Sequence, residues 1–341
     1  MSLDATPNPG PTTIAIEPGG PIAPAQRPLH KLFIGKDGLR AGWSLLIFIA
    51  MMGVALYATN FVLHKVLPVD PNAARNAEIS AKAGILFESI PFVALLLVTW
   101  IMSKIERRPN SAYGFGGSQK VAHFFAGLAW GVVCLSILVL SLWKTGFLVV
   151  DRRLLFGSDV LRYGATWLLG FLLVALLEEY LTRGFLQYTL TRGLAGLYQW
   201  VLKTRHSEAF GFWTSAVILS FLFGLGHGKN PDESPIGMLS AGLAGIVFCL
   251  SLWRTGSLWW AIGFHAAWDW SQSFLYGVAD SGLMVQHHLL ATHPVGKPIL
   301  SGGVTGPEGS IFILAIFGLI SLIIFFTLKR AHYGETSVRS A

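Results

Sequence analysis

Apolar runs of roughly bilayer-spanning length dominate the chain, at about 41–63, 83–102, 121–143, 163–186, 212–230, 236–253, 257–276 and 310–328. Hydrocarbon offers backbone N–H and C=O groups no partner, so a run of about 20 apolar residues must close its hydrogen bonds internally, as a helix. The expected fold is therefore all-α, a polytopic membrane helix bundle with about eight transmembrane helices. Its transmembrane domain should occupy 41–330, between a Pro/Gly-rich N-terminal tail and juxtamembrane segment over 1–40 and a C-terminal tail over 331–341. Residues 1 to about 27 read as disordered, and the long polar stretch before the first apolar run is not the pattern of a cleaved signal.

Only 13% of the 341 residues are charged and 53% are hydrophobic, against about a quarter charged in a soluble domain. This balance excludes a soluble globular enzyme. The net charge of +7 sits in short Lys/Arg clusters between apolar runs, so it reports membrane topology and not a nucleic-acid partner. With the N-terminus inside, most of the 25 Lys and Arg face the cytoplasm, among them Lys104, Arg107, Arg108, Lys329 and Arg330, while Arg152 and Arg153 fall outside. The expectation is an integral protein of a bacterial-type plasma membrane with both termini cytoplasmic. Cys134 and Cys249 lie inside apolar runs with no Cys or His at metal-ligand spacing, so neither a disulfide framework nor a zinc knuckle follows. No internal repeat supports the inverted-repeat design of many transporters.

Two segments between the runs stand apart. Residues 187–208 set Gln187, Arg192, Gln199, Lys203 and Arg205 among Leu, Tyr and Trp, as in an interfacial amphipathic stretch. The Gly/Pro-rich segment 277–309 should be a loop outside the membrane, with His287, His288 and His293 as ordinary loop residues.

Ionisable residues inside the apolar runs need a reason, since each costs about 2.5–3.5 kcal/mol near mid-membrane. The fourth run ends in Glu178, Glu179 and Arg183; Glu179 and Arg183 are four apart and can pair on one helix face. Glu178, about 100° around the helix, is left for chemistry unless the helix ends at Leu177 and the charges lie among headgroups. The fifth run carries Phe223 and His227 amid Gly224, Gly226 and Gly228; the seventh carries His265 and Asp269, again i and i+4. Each has a structural explanation alone, an interfacial histidine or a His–Asp staple, but three helices with ionisable residues at similar depth satisfy them best by converging.

Such a cluster has two chemical readings. A carboxylate and an imidazole sharing one water form a general-base pair for attack on an amide carbonyl, with a second imidazole and a polar side chain opposite to stabilise the oxyanion or protonate the leaving amine. The same Glu, His, His and Asp set also suits a divalent metal such as zinc, held by Glu178, His227 and His265 with Asp269 as a further ligand or second-shell acceptor. Ser220 and Ser273 lie nearby without a nucleophile elbow, which favours water over an acyl-enzyme.

At these residues the chain resembles the CPBP family, the CAAX prenyl proteases and bacteriocin-processing enzymes also called Abi. Its signature, EExxxR, FxxxH and HxxxN on successive membrane helices, is matched by Glu178-Glu179 with Arg183, Phe223 with His227, and His265 with Asp269. The resemblance covers about 120–275, including the stretch RTGSLWWAIGFHAAWD. It implies an intramembrane endopeptidase in which Glu178 and His227 activate water, His265 and the residue at 269 flank the tetrahedral intermediate, and Glu179, Arg183 and Phe223 give structural support. Asp at 269 replaces the commoner Asn. An ionised Asp cannot donate to an oxyanion, so Asp269 is protonated, or orients His265, or binds metal. The implied partners are the bilayer and a peptide or protein substrate at the membrane, lipidated or not. The alternatives are a non-catalytic scaffold or immunity-type protein with the same fold, and a proton-coupled transporter that uses the intramembrane acids as a relay.

Overall fold

The computed structural model describes residues 32–35, 38–66 and 78–329. The expected tails, up to residue 31 and over 331–341, lie outside these residues. Along the chain run α1 (Ala41–Val66), α2 (Ala81–Glu106), α3 (Lys120–Lys144), α4 (Ser158–Glu179), α5 (Gln187–Leu202), α6 (Ser207–His227), α7 (Pro235–Thr255), α8 (Trp259–Trp270) and α9 (Ile313–Thr327). Every one of the apolar runs is helical, and the fold is an all-α polytopic membrane bundle. Among the described residues six helices are long and apolar enough to cross a bilayer. The other two runs form shorter helices: α8 has 12 residues prolonged by the five π-helical residues Ser271–Leu275, and α9 has 15.

Backbone contact, not side-chain bulk, sets the central helix pair. In α3, Gly127 faces Trp260 O and Phe264 N, and Gly131 faces Phe264 O and the Ala267 methyl, so α3 and α8 run side by side in the same direction. A Cβ at Gly127 would lie 2.2 Å from Trp260 O, and one at Gly263 2.1 Å from Phe124 O. Only glycine admits this approach, the means by which lipid-embedded helices gain van der Waals contact where no hydrophobic force drives them together. The same device brings α6 against α7, where a Cβ at Gly224 would meet Met238 O at 2.4 Å. Serine caps begin two helices on the cavity side: Ser80 Oγ accepts from Ala83 N–H, and Ser234 Oγ from Gly237 N–H at 3.0 Å with Pro235 opening α7.

The segment 187–208 is not separated from the fourth apolar run. Residues 187–202 are the continuation of α4, and Ser158–Leu202 forms one helical stretch of 45 residues that passes through the π-helical turn Tyr180–Leu186. Of its polar side chains Gln187 and Arg192 have partners in the bundle, whereas Gln199, Lys203 and Arg205 are exposed. Arg192 Nη2 lies 3.2 Å from the buried Glu106 Oε1, which ties α5 to α2, and Tyr113 Oη donates to Glu106 Oε2 at 3.0 Å.

The loop 277–309 is a folded cap. Its strand β4 (Leu290–Pro294) pairs antiparallel with β2 (Leu148–Arg153), and β3 (Met284–Val285) pairs parallel with β1 (Glu78–Ile79) ahead of α2. Thr305 Oγ1 donates to Asp232 O at 3.0 Å, which docks the cap on the turn between α6 and α7. His288 and Glu308 are buried within it. The cap therefore closes the end of the bundle where α4 begins and α6 ends.

Candidate active site

Two adjacent acids in α4 face different surroundings because consecutive helical residues are about 100° apart. The Glu178 side chain keeps 31% of its surface and looks into a cavity, whereas Glu179 is fully buried in the packing. Arg183, on the π-helical turn, places Nη1 2.9 Å from Glu179 Oε1. A π-turn re-aims side chains within a helix and is frequent at functional sites; here it brings the guanidinium under the ring of Phe223, 4.2 Å from the ring centroid. The Phe223 ring meets the His227 imidazole edge-on at 4.6 Å. Arg183 thus supports two site elements, the Glu179 carboxylate and the histidine of α6.

His227 ends α6. Its Nδ1 lies 2.9 Å from Phe223 O, one turn back. With the Nδ1–H donated to that carbonyl, Nε2 is left as a lone-pair acceptor. His265 in α8 is held from the opposite direction: Nδ1 contacts Glu179 Oε1 at 3.0 Å, and Nε2 lies 3.4 Å from Asp269 Oδ2 and 3.7 Å from Glu178 Oε2. Phe248 of α7 stacks against the imidazole.

Glu178, His227, His265 and Asp269 all line one cavity of about 280 Å³. His227 lines the same cavity but makes no hydrogen bond or ion pair with the other three among the described residues. The remaining wall is largely apolar, with Trp167, Phe171, Val174, Val247, Phe248 and Phe264, and the cap closes it with Asp280, Ser281, Leu283, Val285 and Glu308. Ser220 does not line this cavity, and Ser273 does. Of the loop histidines, His287 stacks on Tyr163, His288 Nδ1 bonds Val285 O, and His293 Nδ1 pairs with Asp151 on the exposed ribbon. Cys134 and Cys249 are buried free thiols.

A metal ion does not fit this donor set. Among the described residues no three His, Cys, Asp or Glu side chains are grouped so as to hold one, Glu178, His227 and His265 included.

Several cavity residues have no counterpart in the sequence reading. Glu88 of α2 lines the cavity, and as a lone acid inside an apolar run it carried the same signal as Glu178. Asn230, three residues beyond His227, also lines it. Asp280 and Glu308 come from the Gly/Pro-rich loop, where no periodicity or motif marks them. Glu179 does more than pair with Arg183, since it also holds His265.

Residues 161–271 match the family model of the type II CAAX prenyl endopeptidases, Rce1-like. The matched span contains both acids of α4, Arg183, Phe223, His227, His265 and Asp269. No curated protein and no solved structure matches the chain.

Proposed function

We propose that this chain, whose segment 161–271 matches the Rce1-like family model, is a CPBP-type membrane endopeptidase that hydrolyses a peptide bond with a water activated by Glu178 and His227. The observation that carries this reading is the arrival of Glu178, His227, His265 and Asp269, from three separate helices, at one cavity.

The water sits between the Glu178 carboxylate and the free Nε2 of His227, both acceptors, and loses a proton to this pair as its oxygen attacks the carbonyl carbon. His265 stands against three carboxylates and carries a proton on each ring nitrogen: Nδ1–H is committed to Glu179, and Nε2–H, beside Asp269, is available to the developing oxyanion. Ionised Asp269 orients that imidazole and does not itself donate. Buried Glu179 and Arg183 hold the arrangement, and no step is routed through a metal because the donors are not disposed to bind one.

The apolar wall suits a substrate segment that is itself apolar, a membrane peptide with or without a lipid. The Lys and Arg distribution favours cytoplasmic termini, and this orientation sets the cap, and the part of the cavity that it walls, at the outer leaflet. Cleavage then falls on peptides exposed at the extracytoplasmic surface of the membrane.

The test is digestion of a membrane-peptide library by the protein in lipid nanodiscs, wild type beside Glu178→Gln, with new termini read by mass spectrometry. Cleavage by wild type alone supports the reading. Identical product profiles from the two proteins overturn it and favour the non-catalytic scaffold.

A further inference from the structure

The cap brings to the cavity two carboxyl groups that water activation does not use. Glu308 is buried and accepts from three donors: Gln272 Nε2 at 2.8 Å and Trp268 Nε1 at 3.4 Å reach Oε1, and Ser281 Oγ reaches Oε2 at 3.2 Å. Donors on both oxygens suit the acceptor-only, ionised form. Asp280 hydrogen-bonds Glu308. Both sequence neighbours of Asp280 are tied to the same network, since Gln272 Nε2 also donates to Ala279 O at 2.8 Å and Ser281 is one of the Glu308 donors. Ser273 Oγ, one turn beyond Asp269, donates to Asp280 Oδ2 at 3.3 Å.

A hydrogen bond between two carboxyl groups requires a proton on one of them. Both Glu308 oxygens already accept from other donors, so the proton between the two groups is placed on Asp280. The surroundings agree: Asp269 faces Asp280 from α8, Glu308 from the cap, and Glu233 faces Glu308 from the turn before α7. Burial first, then the Asp269 and Glu308 charges, push the Asp280 carboxyl well above the usual carboxylate range. Asp280 is thus a neutral acid in the wall of the same cavity as Glu178, His227 and His265.

We propose that Asp280, partnered by Glu308, is the general acid of the reaction and protonates the leaving amine. The role rests on the endopeptidase reading above. As the water oxygen bonds to the carbonyl carbon, its proton passes to the Glu178–His227 pair. The tetrahedral adduct then collapses, the C–N bond breaks, and the nitrogen takes the Asp280 proton, which leaves a carboxylate beside Glu308. Return of the first proton across the cavity to Asp280 restores the enzyme, with one water consumed per bond cut.

The test uses the full chain in nanodiscs, with matched amide and ester reporters of a peptide that wild type cleaves, and infrared titration of the same samples. Asp280→Asn keeps a donor for Glu308 but has no transferable proton. It should lower kcat on the amide about 100-fold, with KM within about twofold, and remove the alkaline fall in kcat. On the ester, whose alkoxide leaving group needs less help, it should lose less than about tenfold, and Asp280→Glu should recover part of the amide rate. The infrared spectrum of wild type at neutral pH should contain a protonated-carboxyl band that Asp280→Asn lacks. A missing band in an active wild-type enzyme, or equal losses on amide and ester, overturns the acid role and leaves the endopeptidase reading standing. A band present in a protein that cleaves neither reporter nor any library peptide refutes that reading, and the acid role with it.

Discussion

Glu179 Oε1 lies 3.0 Å from His265 Nδ1, joining a fully buried carboxylate of α4 to an imidazole of α8. The same oxygen takes Arg183 Nη1 at 2.9 Å. The two acids of α4 thus address opposite sides of one ring: Glu179 fixes Nδ1, and Glu178 faces Nε2 from the cavity at 3.7 Å. A carboxylate that fixes an imidazole tautomer and one that is free to accept a proton are different tasks, and adjacency in a helix separates them.

Glu178→Gln should reduce kcat at least 100-fold and leave thermal unfolding in detergent within a few degrees of wild type, because the side chain faces the cavity and fills no packing. Loss of the folded state in this variant would show instead that Glu178 belongs to the framework.

Arg183→Ala should fail by folding. Arg183 and Glu179 side chains are 2% and 0% exposed, and removal of one partner leaves a buried charge uncompensated at about 3–5 kcal/mol. The expected results are poor membrane yield and a lowered unfolding temperature. A well-folded, inactive Arg183→Ala protein would place the guanidinium at the substrate.

Gly127→Ala should disrupt the α3–α8 pair, since its Cβ would meet Trp260 O at 2.2 Å. Gly53→Ala in α1 is the control, with nothing within 4 Å of the added methyl. The measurement is the fraction of each variant that elutes as a monodisperse species in detergent; equal behaviour would mean that the helices separate without penalty.

Asp269→Asn should lower kcat and leave the fold intact, since the amide keeps a hydrogen-bonding side chain beside His265 but not the charge that orients its imidazole, and a chelator should leave both proteins unchanged. Abolition of activity by chelator with recovery on added zinc would establish a metal that the side-chain positions do not suggest.

Stability should fall as pH rises from the ordinary Asp range through the raised Asp280 titration. In that interval the native state retains a proton that the unfolded chain has released, so native proton binding exceeds unfolded binding and the slope of unfolding free energy with pH is negative. Asp280→Asn should flatten that slope. Melting curves across the interval that are the same in both proteins would count against a neutral acid there.

Much of this molecule is readable one segment at a time. The apolar runs alone dictate helices, because lipid leaves the backbone no other partner, and Glu178, His227, His265 and Asp269 stand out because each is costly where it lies. Spacing within a helix likewise marks Glu179 with Arg183 and Phe223 with His227, both i and i+4. Which helices meet is a different matter. The parallel α3–α8 contact turns on where Gly127 and Gly263 fall against a partner backbone, and the joining of 187–202 to α4 turns on the π-helical turn and on Arg192 reaching Glu106. The link from Glu179 to His265 and the neutral acid at Asp280 have no local signature at all. Both come from side chains far apart in the chain, and only packing sets the distance on which a shared proton or hydrogen bond depends.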